Sequence, residues 1–160
     1  MDDLVNKLIA IMDKECEAYQ DALKMAKNKT EIVIEGKINE LKNLTSAEQS
    51  LILQMGKLEG TREGIAGEIA KLLGKNPDEL TITQILRHIT GDLAGKLQEC
   101  QKKIADVIKE LQNVNRLNQK LIQDALEYIN FSVNLFSNLQ GNASIYGSDG
   151  KPAKGKKNFF

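Results

Sequence analysis

One histidine, two cysteines and two prolines are all that the 160 residues contain of these types, and no uncharged apolar run reaches membrane-spanning length. A metal centre of nitrogen and sulfur ligands needs more than that. Glu-x-x-His is absent, which removes the ligand set of a di-iron bundle. Glycine clusters occur, but none ends in lysine and serine behind a strand, so a phosphate-cradling loop is excluded and no cofactor is expected. The chain opens Met1, Asp2, Asp3, without a basic stretch before an apolar one, so a soluble protein with no signal peptide and no direct membrane insertion is expected. Cys16 and Cys100, both at core-like positions, read as small buried hydrophobes in a reducing cytosol. The formal net charge is zero, which leaves no electrostatic case for nucleic acid. The balance is uneven: after Gln140, Lys151, Lys154, Lys156 and Lys157 outweigh Asp149, so the end is basic and the body acidic.

What is present is helix. From residue 92 to 139 no proline intervenes, and Leu93, Leu97, Cys100, Ile104, Val107, Leu111, Val114, Asn118, Leu121, Ala125, Tyr128, Ser132 and Leu135 fall at alternating steps of four and three. At about 1.5 Å per residue such a helix is roughly 70 Å long, and it needs other helices along it. A first helix is expected over residues 3–28, with one stripe through Leu4, Leu8, Ile11 and Glu15 and a second through Val5, Ile9, Met12 and Cys16, a face wide enough for two neighbours. Asn28-Lys29-Thr30 reads as the break, with Thr30 capping a second helix over 31–73. Gly74 and Pro77 stop that helix, Asn76 and Thr81 each open a capping box, and a short helix over 82–89 bends near Gly91 into the long one.

These lengths predict an all-α fold. It is an elongated antiparallel three-helix bundle or coiled coil over residues 1–140, with one short connecting helix, followed by a mobile basic tail over 141–160. In this register Asp3 lies near Met55 or Gly56, and beyond that point the second helix has only the third for company. Gly56, Gly60, Gly64 and Gly67 sit in that section. Each costs a helix roughly 0.5–1 kcal/mol relative to alanine, so they read either as a close backbone approach or as a weakened stretch that bends. The same register sets Glu48 opposite Asn118, a polar pair that would fix the alignment of the seam.

Near the end of the long helix the pattern changes. Tyr128, Ile129, Phe131, Val133, Leu135, Phe136 and Leu139 cover more of the circumference than one seam needs, beside Asn130, Asn134 and Asn138 at four-residue spacing. Either the helix packs all round within its own bundle, or Leu126, Ile129, Val133, Phe136 and Leu139, with Asn130 and Asn134, form a groove with an amide rim for a partner's amphipathic helix. The tail, with five glycines or prolines after residue 140, cannot build a core, and Tyr146 and Phe159-Phe160 are its candidate docking anchors. His88 invites comparison with phosphotransfer bundles, but the lysine expected soon after it is missing.

The segment Asn115-Arg116-Leu117-Asn118-Gln119-Lys120-Leu121-Ile122-Gln123-Asp124-Ala125-Leu126-Glu127-Tyr128-Ile129, followed by Ile145-Tyr146-Gly147-Ser148-Asp149-Gly150, resembles the carboxyl-terminal part of the FlgN family of flagellar export chaperones. The resemblance implies a cytosolic, non-enzymatic protein that binds hook-filament junction proteins through their helical carboxyl-terminal region, prevents premature assembly and escorts them to the type III export gate. It also implies that Tyr146, in its Tyr-Gly-x-x-Gly setting, contacts the cytoplasmic domain of the gate protein FlhA. The basic end with Phe159-Phe160 departs from the family pattern. The alternative is a non-catalytic coiled-coil scaffold or self-associating adaptor, a homo-oligomer that buries its own surplus apolar surface, with a histidine phosphotransfer bundle behind it.

Overall fold

The computed structural model describes residues 1–145. They form α1 (Asp2–Glu35), α2 (Ile38–Leu72), a 3-10 turn (Pro77–Glu79), α3 (Ile82–Leu86) and α4 (Gly91–Ile145), with no strand among the described residues. The all-α bundle expected from the periodicity is what forms. By compactness the chain divides into Met1–Gln119 and Lys120–Phe160, so the first unit ends well before residue 140.

The first turn is not where Thr30 suggested. α1 runs straight through Asn28-Lys29-Thr30 and stops at Gly36, which takes the left-handed conformation with φ 69°. The Lys37 amide donates to Ile32 O at 3.1 Å and the Gly36 amide to Val33 O at 3.2 Å, the paired closing bonds that only a residue tolerant of positive φ allows cheaply. Thr30 is accommodated because its hydroxyl finds helical partners instead of capping anything. Gly74, with φ 63°, repeats the device at the end of α2, as its position before Pro77 predicted. The connector follows its local signals too: the Asn76 side chain accepts from the Asp78 amide, and Thr81 and Gln84 form a complete capping box. α3 is shorter than expected, ending at Leu86, and α4 starts at Gly91 with φ 69°. α4 also extends past residue 139, so 141–145 are helical rather than tail.

Moving the turn changes the register. Arg62 Nε donates to Glu15 Oε1 at 3.0 Å and Lys29 Nζ meets Glu48 Oε2 at 2.5 Å, so α1 and α2 are antiparallel, with Asp3 level with the end of α2 and not with Gly56. Between α1 and α4 the numbers rise together: Cys100 Sγ donates to Asp13 Oδ1 at 3.4 Å and Asn118 Nδ2 to Ala26 O at 2.7 Å, so these two helices are parallel. Both stripes of α1 are therefore used, one toward α2 and one toward α4. Val5, Leu8 and Met12 of α1, Ile69 of α2, Ile85 and Ile89 of the connector, and Leu97 and Cys100 of α4 close one continuous core. Ile69, Leu97 and Val5 are wholly enclosed.

Two expectations fall with the old register. α1 accompanies α2 along its second half, so that half is not a two-helix segment. A Cβ added at Gly56, Gly60, Gly64 or Gly67 would meet nothing within 4 Å, which rules out a close backbone approach there. Nor do Glu48 and Asn118 face each other. Each is answered by α1: Glu48 by Lys29, and Asn118, only 3% exposed, by Ala26 O and by the Thr30 hydroxyl, which donates to Asn118 Oδ1 at 2.5 Å.

Candidate functional site

α4 carries the region singled out by the sequence, and its residues from Lys120 onward belong to the second unit. No proline interrupts the helix, and side chains here are separated by about 100° per residue around its axis. Leu126, Ile129, Val133, Phe136 and Leu139 are all exposed, Phe136 by 68% and Leu126 by 55%. Asn130, Asn134 and Asn138 are exposed as well. The alternative in which this stretch packs all round within its own bundle is thereby removed for these side chains. Tyr146 and Phe159-Phe160 lie outside the described residues.

Three further side chains share the exposure: Tyr128 at 72%, Phe131 at 65% and Leu135 at 48%. Tyr128 and Leu135 read in the sequence as seam positions, since four-three spacing runs unbroken from Leu93. The seam is filled only as far as its neighbours reach. Leu97, Cys100 and Asn118 on it are buried, and Leu121 is half-buried, whereas Ala125, Tyr128 and Leu135 face solvent. The signal that could have separated them is charge. Lys120, Asp124 and Glu127 are the last charged side chains before a run, Tyr128 through Ile145, that contains no lysine, arginine, aspartate or glutamate. A solvent-facing helix ordinarily carries alternating lysine and glutamate, as α4 itself does where Lys96 pairs with Asp92 and Lys103 with Glu99. An exposed helix that is neutral and half apolar holds water against surface that association would release.

The arrangement around the axis is ordered. Taking Phe136 as the centre, Leu126, Ile129 and Val133 lie to one side and Leu121, Tyr128, Leu135 and Leu139 to the other, an apolar arc of about half the circumference. Glu127 lies on the opposite side, while Asp124 and Phe131 adjoin the edge marked by Leu135. Asn130 follows Leu126 at one margin of the arc, with Asn134 next along that side. Within the segment the Ser132 hydroxyl donates to Tyr128 O at 2.9 Å, so this hydroxyl is spent on its own helix.

The first unit offers chemistry of a different kind. An open groove is lined by Met12, Tyr19, Arg62, Ile82, Ile104 and Ile108, among others. Beside it, burial pushes the Glu15 carboxyl above its ordinary range even though Arg62 opposes the shift. Burial, helped by the bond to Asp13, pushes the Cys100 thiol up to about 12, and a thiol held protonated is a poor nucleophile. Cys16 and Cys100 are both free and buried. His88 is exposed at a bend just after α3, away from the long bundle helices on which a phosphotransfer histidine is carried. Among the described residues no cluster of histidine, cysteine or carboxylates could hold a metal ion, and no helix is long and apolar enough to cross a membrane.

The family model described as FlgN protein matches residues 1–154, nearly the whole chain. An uncharacterized protein of Bacillus subtilis (strain 168), YvyG, is 26% identical over 128 residues, which is 80% of this chain and 78% of that protein. No solved structure matches.

Proposed function

Because the chain belongs to the FlgN family of flagellar export chaperones, we propose that it acts in the cytosol as the chaperone of hook-filament junction proteins. It binds their helical carboxyl-terminal region along α4 through Leu126, Ile129, Val133, Phe136 and Leu139, with Asn130 and Asn134 at the margin. The observation that carries this reading is the exposed, uncharged, half-apolar helix after Glu127.

The energetics suit a chaperone. Enclosing a Leu, Val, Ile or Phe side chain is worth about 1.5–3 kcal/mol, so five of them supply roughly 10 kcal/mol. Association costs on the order of 4–15 kcal/mol in lost freedom before any affinity appears. The surplus is small enough that cargo can be released. While it lasts, covering terminal helices that are built to coassemble blocks their premature assembly. Delivery needs a second contact that does not compete with the first. Tyr146, beyond the cargo segment, is the residue proposed to touch the cytoplasmic domain of FlhA, and a chaperone holding cargo with one part and the gate with another raises the cargo's effective concentration there.

Pull-down of each junction protein with the full chain and with chains ending before Phe131 or before Gly141 tests this. Cargo should be retained by the chain ending at Gln140 and lost by the one ending at Asn130. Tyr146→Ala should keep cargo and weaken FlhA binding; equal loss of both contradicts separate contacts. A stable dimer, indifferent to junction protein in light scattering, would favour a self-associating scaffold instead.

A further inference from the structure

We infer that the occupant of the exposed arc of α4 is a pair of helices from one export substrate, lying side by side, and not a single helix. This rests on the chaperone reading above and adds the form of the bound partner. A single helix-helix contact needs a seam of about two positions in seven. The segment presents two such seams. Tyr128 and Leu135 mark one flank, Leu126 and Val133 the other, and Phe136 stands between them. All five are exposed. One helix laid on either flank leaves the other in water.

The same helix already shows how such a face is completed. Within Met1–Gln119, α4 has two neighbours: α1, through Asp13 with Cys100 and Ala26 with Asn118, and α2, whose Arg62 lines one groove with Ile104 and Ile108 of α4. The four-three spacing of Leu97, Cys100 and Asn118 continues without a skip through Leu121, Tyr128 and Leu135. In the residue pattern, the exposed arc repeats the spacing of a face that takes two helices around Ile104 and Ile108. A second copy of this chain does not meet the requirement. Two α4 segments set against each other supply one helix apiece, and each keeps a bare flank. With no lysine, arginine, aspartate or glutamate between Tyr128 and Ile145, the pair is selected by shape and apolar contact, and its binding is insensitive to salt.

The test uses the full chain and a full-length junction protein in titration calorimetry. The variants are Tyr128→Glu with Leu135→Glu, Leu126→Glu with Val133→Glu, and Glu127→Lys as a control on the opposite side. Circular dichroism should show unchanged helix content in all three, since every site is exposed. Each flank variant should weaken binding at least tenfold, the control less than twofold, and the wild-type affinity should change less than threefold between 50 and 500 mM salt. Sensitivity confined to one flank overturns the paired-helix occupant while leaving the chaperone reading standing. Equal loss with Glu127→Lys, or a steep salt dependence, overturns it as well. Self-association that both flank variants abolish and junction protein does not displace would assign the arc to a second copy. No binding by the wild-type chain defeats the chaperone reading itself, and the inference with it.

Discussion

Asn118 and Asn130 stand on one helix, twelve residues apart, and their surroundings could hardly differ more. Asn118 is 3% exposed, its amide donating to Ala26 O at 2.7 Å and its carbonyl accepting from Thr30. Asn130 faces solvent beside Leu126 and Ile129, which are exposed with it. Upstream, polar residues are few on the inner face and each is matched. Downstream, the apolar residues are unmatched and the polar ones neutral. The contrast separates a part of α4 whose seam residues are spent on the chain's own fold from a part whose seam residues are exposed.

The comparison is broken most severely by truncating side chains in the two parts. Ile69→Ala or Leu97→Ala, at positions 0% exposed, should cost about 2–5 kcal/mol in denaturant unfolding. Phe136→Ala or Val133→Ala should change stability by less than about 0.5 kcal/mol. A cost above 2 kcal/mol at Phe136 would mean that the free chain already encloses it. Next in size is Asn118→Asp, which replaces the amide donor facing Ala26 O with a carboxylate. About 1–3 kcal/mol should be lost, whereas Asn130→Asp should be neutral.

A smaller effect of opposite sign is expected in α2. Gly60→Ala and Gly64→Ala enter open space in a helix and should each stabilise by about 0.5–1 kcal/mol. Loss of stability there would point to a close contact that the fold does not show. The smallest effect concerns Glu15. Burial raises its carboxyl above the ordinary value, so the folded state holds a proton that the unfolded state has already released, and stability falls as pH rises through that window above about 4.5. Glu15→Gln should remove this contribution and flatten the fall in melting temperature over the same window, with little change at lower pH. A steeper fall in the variant would show that Arg62 outweighs burial and that the ionised carboxylate is the stabilised form.

Part of this was legible in the residues and part was not. The exposed end of α4 could be seen as a surplus of apolar positions, but Tyr128 and Leu135 could not be told from core, because spacing alone does not say where a neighbouring helix ends. The break between α1 and α2 shows the same limit. Asn28-Lys29-Thr30 reads as the stop in the sequence, whereas the helix ends at Gly36, eight residues after Asn28. Thr30 stays helical because its hydroxyl bonds Asn118, a residue 88 positions away. Gly36 becomes the turn because it can take positive φ while Ile32 remains buried in α1.

The sequence by itself determined what depends on neighbours along the chain. The helices, the stop at Gly74, the bend at Gly91, the caps at Asn76 and Thr81 and the neutral run after Tyr128 all rest on backbone preference and hydrogen bonds a few residues apart. Only the tertiary structure decided the turn at Gly36, the partners of Glu48 and Asn118, the open space around the glycines of α2 and the point at which the seam of α4 runs out of neighbours. Each of these is set by which distant surface lies alongside, and helical periodicity is the same whether a stripe is covered or bare.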